Sequence, residues 1–412
     1  MVRSLSKTTL LAAVSAFLMC GCGASQNSAP PLTWLRASGQ KIVNQRGQTV
    51  RLTGFNDPRM FPGAGNSPDA CGRLWKAPKP TLARDVAAWG FNSVRLDISW
   101  SDLEPTPPTV GKNGSLTHHW NEKYLSALDS VVHALASHHV YVILNMDQGA
   151  LSPAFRYVDY AGCEGNGMPA WLFPGAANQS VLQGWCAFLG NYSQPGVPIR
   201  PLDGLADAWR TVAARYAADP AVAGMDLINE PGGPYAGDIG GGFCAQTSYP
   251  LKATYMDYLD RRVGDAIRRV DPHVMLFLED DWGRIGVPHT ILSTGGLTNV
   301  VYEYHLYAPS WRVGEASLRS AGGFASHLGV PLWIGEFTAF GGDLNPRLDA
   351  RAAVRNLDPS WRTDTAALLR YTRTKGIGWS LEAYSGVGSI LKPWTDTPKP
   401  RLLAILRAGL AR

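Results

Sequence analysis

Two glutamates, Glu230 and Glu336, each close an apolar run. The first follows residues 222–228, where only Gly224 and Asp226 interrupt, and precedes Pro231; the second follows residues 331–335. Proline cannot donate to a sheet ladder and biases its predecessor towards an extended backbone, so Pro231 predicts a strand ending at an extended Glu230. One strand-end carboxylate is commonly just a solvated turn. A pair suits glycosidic chemistry, in which one carboxylic acid protonates the leaving oxygen and a second carboxylate attacks the anomeric carbon.

The two must be brought together by the elements that carry them. Apolar runs at 50–56, 91–98, 140–148, 222–228, 274–280, 300–307, 331–337 and 377–382 alternate with helical segments at 81–89, 121–138, 205–217, 251–270 and 400–410. Helical spacing is clear in Leu125, Leu128, Val132 and Leu135, and again in Met256, Leu259, Val263 and Ile267. Strands alternating with helices predict the α/β class and a parallel (β/α)8 TIM barrel, entered through an N-terminal β-hairpin over 34–47 and carrying long βα loops. The carboxyl ends of barrel strands converge on one face. They would gather Asn56, Arg95, Asp147, Asn229 with Glu230, Glu279, His305 with Tyr307, Glu336 and Trp379. Asn229 can bond a sugar 2-hydroxyl, Tyr307 and His305 can donate to a carboxylate, and Trp379 offers a ring face to a sugar. Arg95, inside a strand, needs a carboxylate partner, either in a structural ion pair or as the orienter of a catalytic glutamate.

With 412 residues, 45% hydrophobic and 17% charged, the chain can bury a large core. The net charge is +5 without any Lys/Arg run, which argues against nucleic acid as a partner. Arg3 and Lys7, an apolar stretch at 10–19 and small residues at 20–25 read as an export signal. Met19-Cys20-Gly21-Cys22 resembles a bacterial lipobox. It predicts a signal over 1–22, a lipid on Cys22 with membrane attachment through it, a tether over 23–32 and a catalytic domain over 33–412. The product would be exported, as a cell-surface lipoprotein or a secreted protein. Four further cysteines, Cys71, Cys163, Cys186 and Cys244, suggest two disulfides, for which three connectivities exist. The expected pairs are Cys163–Cys186, across a long insertion after the third strand, and Cys71–Cys244, between loops. Their spacing lacks the paired pattern of a zinc site, so no metal is expected. His118-His119 and His138-His139 read as surface or loop histidines.

Taken in order, Gly54-Phe55-Asn56, Val94-Arg95, Asn229-Glu230-Pro231, His305-Leu306-Tyr307, Gly335-Glu336-Phe337 and Trp379 resemble glycoside hydrolase family 5, the cellulase-like (β/α)8 family. The resemblance runs from the hairpin glycines Gly39 and Gly47 to Trp379. It implies retaining β-glycoside hydrolysis of a carbohydrate or glycoconjugate by double displacement, without a cofactor. By that likeness Glu230 is the acid/base, Glu336 the nucleophile and Asn229 the 2-hydroxyl ligand. Arg95, His305 and Tyr307 support the nucleophile, and Trp379 is the sugar platform. One position departs: the family's third strand usually ends in Asp-x-His, whereas this chain has Asn145-Met146-Asp147. An acceptor there would alter sugar preference in the first glycone subsite. Gln148 and the preceding Val142-Ile143-Leu144 are similar to the endoglycoceramidase-like branch, which acts on glycolipids. The alternative expectation is a non-catalytic glycan-binding protein that keeps the cleft; an intact glutamate pair argues against it.

Overall fold

The computed structural model describes residues 31–60, 81–148, 151–155, 167–233, 238–239, 242–279, 293–339, 360–384, 390–392 and 397–410. Eight parallel strands close a barrel: β3 (Thr53–Asp57), β4 (Ser93–Ile98), β7 (Tyr141–Met146), β8 (Val222–Asp226), β9 (Met275–Glu279), β10 (Val300–Leu306), β11 (Leu332–Phe337) and β12 (Gly378–Leu381). They are neighbours in chain order, and β12 pairs with β3 to complete the ring. The expected strands are all present, each trimmed by a few residues. Every residue of all eight is buried, which is why they read as continuous apolar runs.

The barrel interior is layered. Its amino-terminal end is filled by Leu52, Tyr141, Ile143, Met275, Phe277 and Trp333. A hairpin of β1 (Leu35–Ser38) and β2 (Lys41–Asn44) adds Leu35 and Ile42 to that plug and is tied down by Ala37 N–H donating to Asn299 Oδ1 at 2.7 Å. Asn56, Arg95, Asp97, Asn145, Asp226, Glu303, His305 and Glu336 are buried polar residues of the same strands. An apolar stopper at one end leaves the other as the floor of a site.

Helix Glu122–Ser137 starts where Asn121 accepts from Tyr124 N–H, and Pro201–Tyr216 starts on a proline, which has no N–H to lose in a first turn. Two helices escape the sequence reading. Trp311–Leu328 buries Gly314, Ser317, Leu318, Ala321 and Ala325, and Trp361–Lys375 buries Thr365, Leu368, Leu369 and Thr372. Their inner faces use small or hydroxylated residues, so apolar periodicity is faint. The insertion after β7 also contains a helix, Val181–Leu189, closed by a Ser180–Gln183 capping box. No described helix is long and apolar enough to cross a membrane.

That helix corrects the cysteine pairing. Cys186 is bonded to Cys244, not to Cys163, and Cys244 is therefore not the partner of Cys71. β7 and β8 are adjacent, so the segments following them lie side by side, and the bond joins one to the other. Cys71 and Cys163 lie outside the described residues, as do Cys22, the 1–22 signal and most of the 23–32 tether.

Candidate active site

Arg95 organises the floor of the site. Projecting from β4 and wholly buried, it donates from Nε and Nη2 to Asp226 Oδ2 at 3.0 and 2.6 Å, from Nη1 to Glu336 Oε1 at 2.9 Å, and from Nη2 to Asn229 Oδ1 at 2.8 Å. Glu303 Oε1 lies 3.1 Å from Nε, and Asp97 Oδ1 3.6 Å from Nη1. The arginine thus serves both roles considered from sequence: it is paired structurally with Asp226 and orients Glu336. Burial works against its charge, but the surrounding carboxyl groups outweigh that and hold the guanidinium protonated.

Glu336, near the carboxyl end of β11, accepts from Arg95 on one oxygen and from the Tyr307 hydroxyl on the other, at 2.5 Å. Burial would raise its pKa. The neighbouring His305, then Arg95 and these two hydrogen bonds, prevail and leave the carboxyl below its usual range and ionised. Tyr307 is pushed the other way, first by burial and then by the charge of Glu336, so it keeps the proton it donates.

Glu230 reaches the site differently from the sequence expectation. β8 ends at Asp226, and Glu230 has a φ of 40°, left-handed rather than extended. A non-glycine residue is strained there and has to be held. Its N–H donates to Glu279 Oε2 at 2.7 Å, and the Gln148 side-chain amide donates to the carbonyls of Asn229 and Glu230, at 3.1 Å each. Asn229 N–H bonds Met146 O at 2.9 Å, and Trp209 Nε1 bonds Leu227 O at 2.8 Å, fixing the run between strand and glutamate. Burial, then the negative charges of Glu336 and Asp147, push the Glu230 carboxyl well above its ordinary range. It is protonated where Glu336 is not.

His305 sits between the two. Its Nδ1 lies 2.9 Å from Glu230 Oε1, 3.3 Å from Glu279 Oε1 and 3.4 Å from Glu336 Oε2. Burial drives its pKa down to about 3, so the ring is neutral. It is a bridge, nearer to Glu230 than to the carboxylate it was expected to support. Glu230, Glu279 and His305 bring ligand atoms within 4.8 Å of one another, a grouping that their hydrogen bonds account for.

Asn229 spends its amide oxygen on Arg95, which leaves the NH2 as the end available to a ligand. Asp147 follows β7 and accepts from Gln148 N–H at 2.6 Å; burial and then Glu336 raise its pKa to about 7. Trp379 is a correction. It is fully buried, edge-on to Phe91 at 5.8 Å and to Phe337 at 5.5 Å, with no face left for a sugar. Side chains alternate along a strand, and on β12 it is Ser380 that bonds Asn56 of β3. Glu382, just past β12, carries a carboxyl raised well above its usual range by burial and then by Glu336.

Asp97, Asp226, Glu303, Glu382 and the holding role of Gln148 were not read from sequence. A signal existed for the first three. Each is an acid set inside an apolar strand run, and Asp97 and Glu303 stand two residues from Arg95 and His305, on the same side of their strands.

The family profile described as cellulase (glycosyl hydrolase family 5) matches residues 43–385. Endoglycoceramidase I of Rhodococcus hoagii is 27% identical over 306 residues, covering 68% of this chain and 54% of that protein. An endoglucanase of Paenibacillus polymyxa is 23% identical, covering 92% of this chain and 87% of its own. The chain spans about half the length of the endoglycoceramidases it matches, the other being from Hydra vulgaris. Endo-glycoceramidase II from Rhodococcus sp., solved as a lactosyl-enzyme intermediate, shares the fold with a TM-score of 0.64 at 23% identity, over 91% of this chain and 80% of that one.

Proposed function

The chain belongs to the cellulase family, glycosyl hydrolase family 5, and from that premise we propose that it is a retaining β-glycoside hydrolase acting on a glycan or glycoconjugate. Glu336 attacks the anomeric carbon as the glycosidic bond breaks, and Glu230 gives its proton to the leaving oxygen. A glycosyl-enzyme ester forms on Glu336. Glu230, now ionised, then takes a proton from water as that water attacks the same carbon, returning Glu336 as a carboxylate and releasing the sugar with its configuration kept.

One observation carries this reading: a single neutral imidazole nitrogen lies 2.9 Å from Glu230 and 3.4 Å from Glu336. Those two distances cap the separation of the facing oxygens at their sum, which favours the close spacing of a retaining pair over the roughly 6.5–9.5 Å between the carboxyl groups of an inverting one. The opposite charge states of the two carboxyls supply the acid and the nucleophile. A glycan-binding protein needs neither, and the strain held at Glu230 would serve no purpose in one. Proton NMR of a hydrolysed aryl β-glycoside tests the assignment: the β-anomer should appear first, and α-anomer first would overturn it.

The glycolipid branch is the finer reading. Two relatives bear the name endoglycoceramidase, and Gln148, which marked that branch in the sequence, braces Glu230 here. Release of oligosaccharide from a glycosylceramide, with no turnover of β-glucan, is the result this reading requires. A lipid on Cys22 would bring the enzyme to a membrane carrying such substrates. Wild-type protein found wholly in the culture medium would end that part of the proposal.

A further inference from the structure

Glu303 lies beneath the reacting pair, fully buried, and the reaction above gives it no part. It stands two residues before His305 on β10, so both side chains enter the barrel. Its carboxyl is 3.1 Å from Arg95 Nε of β4 and 3.5 Å from His305 Nε2, and Asp226 of β8 shares that same Nε at 3.0 Å. Its register partner on β9 is Glu279. Glu336 of β11 and Asp97 of β4 face the same guanidinium, at 2.9 and 3.6 Å from Nη1.

Two geometric facts define what this carboxyl is doing. The Arg95 Nε hydrogen is directed at Asp226 Oδ2. Among the described residues, neither Glu303 oxygen nor Asp226 Oδ1 then meets a donor N–H or O–H. Ionised carboxylates only accept, so two buried carboxyls sharing one N–H are both satisfied only if one of them holds a proton to donate. Asp226, already bonded twice to Arg95, is the better anion, and Glu303 is the acid. The second fact is a bulge. Tyr304 pairs with Ile334 but His305 pairs with Glu336, leaving Gly335 as an extra residue on β11. A Cβ on Gly335 would stand 1.6 Å from Glu303 Oε1. The Glu303 carboxyl therefore fills the side-chain space of the residue immediately before Glu336, at a kind of irregularity that re-aims neighbouring side chains.

We propose that Glu303 is a positioning residue acting as a neutral, proton-holding carboxyl, which donates to Asp226, leaves Arg95 Nη1 to Glu336 and props the bulge that turns Glu336 into the site. The proposal rests on Glu336 being the nucleophile. An ionised Glu303 would compete with Asp226 for the Nε hydrogen and with Glu336 for the charge of Arg95. Glutamine has the shape of a protonated glutamate and retains a donor, so it should substitute.

The test compares wild type, Glu303→Gln and Glu303→Ala on a nitrophenyl β-glycoside across pH, together with infrared difference spectra of the glutamine variant. Glu303→Gln should retain most of kcat/KM with both limbs of the pH profile unmoved. Glu303→Ala should lose on the order of 10²-fold, mainly in kcat, as expected of a displaced nucleophile. The wild-type-minus-glutamine spectrum at neutral pH should show a lost carboxylic-acid carbonyl band. A lost carboxylate band instead, or limbs of Glu303→Gln displaced to lower pH, would mean that Glu303 carries a charge and would overturn the proposal. An alanine variant as active as wild type would remove the positioning role. If that variant fails to fold, the glutamine profile and the spectrum still decide. Failure of the nucleophile assignment shows separately, as undiminished turnover by Glu336→Ala.

Discussion

Tyr307 donates its phenolic hydrogen to Glu336 Oε2 across 2.5 Å. The other oxygen of Glu336 is held by Arg95, so a carboxylate that burial would neutralise remains ionised. In the proposed reaction this arrangement makes Glu336 the better nucleophile of the pair before any substrate arrives. Removing the phenol removes part of what keeps its pKa low. Tyr307→Phe should therefore move the acid limb of kcat/KM to higher pH, by about one unit for the loss of a hydrogen bond to a charged group. The pH profile on an aryl glycoside measures this, and an unmoved limb would show that Tyr307 does not tune Glu336.

Asp147 acts on the other glutamate. Its negative charge is among the causes that raise Glu230, so neutralising it should lower the Glu230 pKa. Asp147→Asn should shift the basic limb of the profile to lower pH. Asp147→His, which puts a donor where the chain has an acceptor, should alter the ranking among aryl glucosides, galactosides and mannosides without abolishing hydrolysis. A ranking identical to wild type would place the residue outside the glycone subsite.

His118 turns out to be a structural staple. Stacked on Trp120 at 4.6 Å, it bonds Glu104 Oε1 at 2.7 Å and lies 3.3 Å from Asp207 Oδ2, joining the segment after β6 (Leu116–Thr117) to helix Pro201–Tyr216. Glu104 in turn accepts from Trp100 Nε1. Burial opposes protonation, but the bonds to Asp207 and Glu104 outweigh it and push the imidazole up to about 9. A folded pKa above the unfolded value of about 6.5 means that this stabilisation is complete below about 6.5 and fades as pH rises through the folded value. His118→Ala should lower Tm clearly at mildly acidic pH and much less in strong alkali. Equal losses at both pH values would point to packing on Trp120 alone.

The barrel was legible because each strand is buried on both faces, and such strands announce themselves as apolar runs whatever their neighbours. The strand-end rule then grouped Glu336, Arg95, His305 and Tyr307, whereas Glu230 stands beyond the end of β8 and is held there by Glu279 and Gln148. What it could not settle is which way a side chain points at a short strand: Trp379 and Ser380 are adjacent, and only pairing with β3 shows that the serine faces inward. Gly335 was read as part of a motif, yet its reason lies in Glu303, on another strand. The disulfide depends on β7 and β8 being neighbours, a fact of the closed ring rather than of cysteine spacing.

The Cys186–Cys244 bond closes 58 residues of separation. On the chain-entropy model a loop of that size is worth about 4 kcal/mol. Reduction, or Cys186→Ser with Cys244→Ser, should lower the urea midpoint substantially. Peptide mapping that finds Cys244 joined to any other cysteine would refute the pairing outright.

The roles proposed for Glu230 and Glu336 can be separated by the demands of the leaving group. Protonation matters when the leaving oxygen is strongly basic and little when it is a nitrophenolate, which departs unassisted. Glu230→Ala should therefore keep appreciable first-step activity on nitrophenyl glycosides and lose most of it on natural linkages. Azide, entering the space left by the carboxyl, should speed the second step and yield a β-glycosyl azide. Glu336→Ala has no atom with which to form the ester, so it should show neither a burst of nitrophenol nor azide-assisted turnover through a glycosyl-enzyme. Trapping with a fluorinated glycoside should label Glu336 in wild type and in Glu230→Ala, because the first of the two displacements needs only the nucleophile and a good leaving group. A label found on Glu230 instead would exchange the two roles, against the opposite charge states that Arg95 and Tyr307 on one side, and burial on the other, impose on the pair.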